Sequence, residues 1–85
     1  MTSNTNMNNT RKYYALLWLK GYEFEFDYDT LPKLETPVAN IVVFTKKRNR
    51  DDYVDSRHCC ESIPAVIARK MIRNGVSYFI ASENR

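Results

Sequence analysis

Apolar and polar positions alternate with period two along several stretches of this 85-residue chain. Residues 13–19, YYALLWL, are apolar on both alternating sets: Tyr14, Leu16 and Trp18 on one, Tyr13, Ala15, Leu17 and Leu19 on the other. That pattern predicts a strand covered on both faces. A single long helix over 12–20 is the competing assignment, because Ala, Leu and Lys are helix formers. Lys20-Gly21 reads as a turn, with glycine supplying a positive φ. In residues 22–29, Tyr22, Phe24, Phe26 and Tyr28 alternate with Glu23, Glu25, Asp27 and Asp29. A period of two does not fit a helix stripe, so this segment predicts the return strand of a hairpin, aromatic on one face and acidic on the other.

Pro32 and Pro37 bracket a loop without helical period. The β-branched run ANIVVFTK predicts a third strand. KRNRDD reads as a polar turn and YVDSRH as a short edge strand. A helix is expected over about 63–74. Ser62 is placed as its N-cap and Pro64 in its first turn, where a missing N–H costs little. Ile63, Val66, Ile67 and Met71 share a face, and Asn74-Gly75 supplies the stop. VSYFIAS predicts the last strand. The expected fold is therefore α+β: a small, mostly antiparallel sheet of four to five strands, one helix on a face, in the order β-β-β-(β)-α-β. Residues 1–10, all polar apart from two methionines, are expected to be a disordered tail on a single domain spanning 11–85. One helix covers one face only. The second apolar face then needs a cover, and a homodimer or a protein partner is the natural one.

Composition sharpens this picture. Aromatics reach 13%, and six of the eleven are tyrosine, which suits half-buried surfaces and interfaces. The net charge of +3 is unevenly spread: residues 1–39 hold four basic and five acidic side chains (−1), residues 40–85 nine and five (+4). The two halves either face different partners or pair with each other. Cys59 and Cys60 are adjacent, a spacing that strains a disulfide, so both are read as thiols in a reducing compartment. The N-terminal residues lack an apolar signal region and no run reaches the ~20 residues of a membrane span, which predicts a cytoplasmic protein without membrane attachment.

Candidate chemistry is limited to charge. Glu23, Glu25, Asp27 and Asp29 would form a row of carboxylates at a spacing close to that of successive phosphates, a shape that suits a cationic partner surface. With Trp18, Tyr22 and Tyr28 they make the candidate partner-binding set. The plainer alternative is a solvated face that keeps the sheet soluble. Lys46, Lys47, Arg48 and Arg50, with Arg69, Lys70 and Arg73 on the helix rim, form a candidate nucleic-acid set, with Tyr53 or Tyr78 available for stacking. Asp51 and Asp52 cancel part of that field, and no nucleic-acid-binding motif is present. His58, Cys59 and Cys60 are consecutive and project in different directions. They therefore suit neither a zinc site nor a nucleophile–base pair. Gly21 and Gly75 are too few for a phosphate-cradling loop. No cofactor or metal is expected.

These features predict a small non-enzymatic interaction module. In size and composition the chain is similar to small bacteriophage and mobile-element proteins that bind and block a host machine, anti-CRISPR and other anti-defence inhibitors among them. No motif carries that similarity, so it assigns no residue a role. The expected mechanism is occlusion of a host nucleic-acid-processing or defence machine by the acidic and aromatic strand. A nucleic-acid-binding protein and a homo-oligomeric structural subunit are the alternatives.

Overall fold

The computed structural model describes residues 11–22, 27–34 and 37–83. The tail assignment for residues 1–10 and the middle of the acidic segment, residues 23–26, lie outside these. The protein is α+β, and the described residues form a four-stranded mixed sheet and two helices. β1 is Tyr13–Trp18, β2 Ala39–Phe44, β3 Cys60–Ile63 and β4 Tyr78–Ile80. α1 is Lys47–Asp55 and α2 is Ala65–Arg73. A short 3₁₀ turn spans Leu31–Lys33.

The strands lie in the order β3-β1-β2-β4. β1 is antiparallel to both of its neighbours, and β4 runs parallel to β2. The apolar positions of β1 explain its central place. Tyr14, Leu16 and Trp18 face one side with Ile41, Val43 and Ile63, and α2 closes that core with Ala68 and Met71. Ala15 faces the other side with Val42, Phe44 and Cys60, under Tyr53 and Val54 of α1. The Tyr53 ring packs edge-on against Phe44 with centroids 5.3 Å apart. Leu16, Ile41 and Val42 are wholly buried, as expected where a sheet is covered on both faces.

Several expectations change. Among the described residues there are two helices rather than one, and the sheet, antiparallel in two of its three pairings as expected, is made mixed by the parallel pair β2–β4. The polar turn and edge strand read from KRNRDDYVDSRH are a helix. Its apolar contribution is so small that no stripe announced it. The apolar sheet face left without a cover is the face on which α1 sits. The return strand is not formed in its described second part: residues 27–30 make a turn. The edge strand lies later, at Cys60–Ile63, and takes in Ser62, so the N-cap of α2 is Pro64. Gly75, at φ +107°, ends α2 as its sequence suggests, and Gly21, at φ +94°, turns the chain after β1. Among the described residues, no helix is long and apolar enough to cross a membrane.

Candidate functional site: two clefts of different charge

The first cleft lies where the turn at residues 27–33 meets α2. Its anchor is Glu61, which stands opposite Leu16 in the register and so faces the α2 side of the sheet. The Trp18 indole N–H donates to Glu61 Oε2 at 2.9 Å, and the Tyr28 hydroxyl donates to Oε1 at 3.0 Å. Burial, followed by the hydrogen bond and charge of Glu61, pushes the Tyr28 hydroxyl up to about 12. Asp27 shapes the turn. Its Oδ1 accepts from the Thr30 hydroxyl at 2.6 Å and the Thr30 N–H at 2.9 Å, and these bonds hold its carboxyl below the ordinary range. Asp27 and Asp29 share the rim with Lys33 and Lys70, over a floor that includes Tyr28 and Met71, around a volume of about 610 Å³.

The candidate partner-binding set is thus dispersed. Trp18 is 2% exposed and belongs to the core, so it offers no surface to a partner. Tyr22 is on the surface. Asp27, Tyr28 and Asp29 sit together on the turn, but lysines stand among the carboxylates. Glu23 and Glu25 lie outside the described residues.

The second cleft follows from topology. β2 and β3 both run antiparallel to β1, so both end where β1 begins. A helix follows each of them, and both helices start at that end of the sheet. Arg11 and Lys12 lead into β1 at the same place. The resulting recess, of about 430 Å³, takes its charged lining from Arg11, Lys12, Lys47 and Arg50, all cations. Tyr13 and Tyr14 also line it, and the Arg11 guanidinium lies 5.5 Å and the Arg50 guanidinium 5.8 Å from the Tyr13 ring centroid. Arg50 is held in place: it donates to the Tyr14 carbonyl at 3.2 Å and pairs with Asp51 at 2.6 Å. Pro64 and Ala65 complete the wall. Pro64 caps α2 without a side-chain hydrogen bond, and the first N–H groups of the helix, at the positive end of its dipole, have no acceptor within it.

The start of α1 is served differently. Glu83 accepts from the Thr45 N–H at 2.8 Å, the Thr45 hydroxyl at 3.0 Å and the Asn49 amide at 2.8 Å. Burial pushes its carboxyl up, but the bonds from Asn49, Thr45 and the Lys46 backbone outweigh this and hold it below the usual carboxylate range.

The sheet divides the candidate nucleic-acid set. Lys46, Lys47, Arg48 and Arg50 belong to the start of α1 on one face; Arg69, Lys70 and Arg73 belong to α2 on the other. Only Lys47 and Arg50 of that set line the basic cleft. Sequence reasoning missed Arg11, Lys12 and Tyr13 as their partners. The visible signal was a basic pair directly before an aromatic strand start. Of the stacking candidates, Tyr53 is covered by Arg57, whose guanidinium lies 3.6 Å from the ring centroid. Tyr78 is 54% exposed on β4.

Cys59 and Cys60 are free thiols. Burial pushes the Cys60 thiol up to about 11, so it is neutral near pH 7 and a poor nucleophile. Among the described residues, no three His, Cys, Asp or Glu side chains converge as metal ligands. Comparison with protein-family models found no match, and neither the curated proteins nor the solved structures provided one.

Proposed function

We propose that the protein binds a single nucleic-acid strand through its phosphates, in the cleft at the start of β1. The observation that supports this is the convergence of Arg11 and Lys12, before β1, and Lys47 and Arg50, in α1, onto one recess whose charged lining is entirely cationic. Phosphates favour such a site because each neutralised contact releases condensed counterions. The uncapped start of α2 adds backbone donors suited to an anion. A recess accepts a flexible strand, whereas reading a duplex groove calls for a protruding helix or ribbon. Contacts to phosphate are the same for every base. Binding is therefore expected to tolerate sequence.

Fluorescence anisotropy with labelled single-stranded DNA and RNA tests this. Affinity should fall steeply with salt. Arg11→Ala and Lys47→Ala should each weaken binding for every oligonucleotide and reduce the salt slope by about 1. Arg69→Ala and Arg73→Ala should change little. Absence of binding at low salt would end this reading.

A second reading, a non-enzymatic module that occludes a host machine, is supported by the 610 Å³ cleft over Tyr28, which Glu61 fixes in place. On that reading Asp29→Lys weakens the complex with a protein target and leaves oligonucleotide binding intact.

A further inference from the structure

Residues 76–82, VSYFIAS, carry no charge, no proline and no glycine in a chain that is 27% charged. They contain β4, which lies at one edge of the sheet and, among the described residues, pairs with β2 alone. Its side chains are open to solvent: Tyr78 is 54%, Phe79 43% and Ile80 62% exposed. The opposite edge is β3, where Glu61 and Ser62 occupy the middle and Pro64 follows directly. Charge and proline are the usual devices that stop an edge from pairing with another strand. β3 has them and β4 does not.

The backbone of β4 fixes what can pair with it. The Ser77 carbonyl accepts from the Ile41 N–H and the Ala81 N–H donates to the Val43 carbonyl, both at 2.9 Å. Backbone groups of alternate residues point to the same side of a strand. Residues 77, 79 and 81 therefore face β2, and Tyr78 and Ile80 direct their N–H and C=O groups off the edge.

We propose that β4 pairs antiparallel with β4 of a second copy across a two-fold axis, joining two sheets into one of eight strands. In this register Tyr78 and Ile80 of one protomer exchange both backbone bonds with Ile80 and Tyr78 of the other. Phe79 meets Phe79 of the other copy at the axis as a non-hydrogen-bonded pair, with Cα atoms about 4.5 Å apart. Each exposed apolar side chain then lies beside another: Phe79 with its equivalent on the α1 face, Tyr78 with Ile80 on the α2 face. No charge enters the ladder, and the pattern is self-complementary, as a two-fold interface requires. The contact is short compared with the ~800 Å² per partner of a standard interface, so dissociation in the micromolar range is expected. The inference is independent of the proposed ligand. The basic cleft is built from the starts of β1 and both helices and the end of β3, across the sheet from β4, so a dimer keeps two open clefts.

Sedimentation velocity on the full chain, from low micromolar to near-millimolar concentration, should show the average mass rising from monomer to dimer. Ile80→Pro removes an outward N–H at a position where a sheet edge tolerates proline, and it should weaken the dimer at least about tenfold while circular dichroism stays unchanged. Ile80→Lys, which leaves the backbone free to pair, should act the same way through charge. Phe79→Cys should give a disulfide-linked dimer on mild oxidation, whereas Tyr78→Cys, Ile80→Cys and the unaltered chain with Cys59 and Cys60 should not. A monomer at every concentration, undiminished association of both Ile80 variants, or equal cross-linking at all three positions overturns the proposal. Oligonucleotide binding by Ile80→Lys is measured alongside, so that loss of the dimer and loss of the ligand are read separately.

Discussion

Glu61 is the side chain with the most dependents. One carboxylate serves two donors from different parts of the chain, Trp18 in β1 and Tyr28 in the turn that follows. Removing it takes this acceptor from an indole N–H and a hydroxyl in a part-buried place, and each such loss costs about 1–3 kcal/mol. Glu61→Ala should therefore lower stability by about 2–4 kcal/mol in urea titrations, and Glu61→Gln, which keeps one acceptor oxygen, by less. Trp18 is the sole tryptophan, so its emission follows the change directly. Tyr28 gives a pH signature. Its folded value of about 12 lies above the ordinary value of 10.0. Between these values the unfolded chain has released the proton and the folded chain still holds it. The Tyr28 contribution is thus complete below pH 10 and is lost as pH rises toward 12. The difference in stability between the unaltered protein and Tyr28→Phe should shrink across that window.

At the scale of elements, α1 depends on contacts distant in sequence. Lys47–Asp55 contains no fully buried residue, and its N-cap Lys46 makes no side-chain cap bond. What holds it is Tyr53 on Phe44 at one end and Glu83, from beyond β4, at the other. A carboxylate at a helix start also complements the helix dipole. Glu83→Gln should speed amide exchange in the first turns of α1 and cost about 1 kcal/mol. Because the folded Glu83 carboxyl is held below its ordinary 4.5, its contribution is present above that pH and is lost as pH falls further. The unaltered protein and Glu83→Gln should converge in stability on the acid side. α2 behaves differently. Its buried face, Ala68 and Met71, and its glycine stop are local properties, and it was legible in the sequence to within two residues at its start.

For the whole molecule, the decisive fact is that the sheet is covered twice. With a single helix, Ala15, Val42 and Phe44 would face water, and a partner would be needed to hide them. α1 removes that need and moves the exposed apolar surface to the β4 edge. Tyr53→Ala should loosen this cover. Expected outcomes are a stability loss of about 2 kcal/mol, from a side chain that is only partly buried, and increased binding of a hydrophobic dye. Oligonucleotide affinity should change little, because the cleft is built from the first turns of the helices rather than from the seat of Tyr53.

The apolar pattern of residues 13–19 predicted β1 over a competing helix, and the β-branched run ANIVVFTK predicted β2. The period of residues 63–74 with its Asn-Gly stop determined α2, and the glycines at 21 and 75 marked chain turns that need positive φ. Each of these rests on neighbours in sequence. Only the tertiary structure decided that KRNRDDYVD is a helix, since two side chains and a distant glutamate hold it there. It also decided that Trp18 is core rather than contact, and that Lys47 and Arg50 belong with Arg11 and Lys12 rather than with Arg69 and Arg73. The physical reason is common to all three. Which face a side chain takes is local, but which neighbours it meets there is set by strand order, and strand order is not written in any single segment.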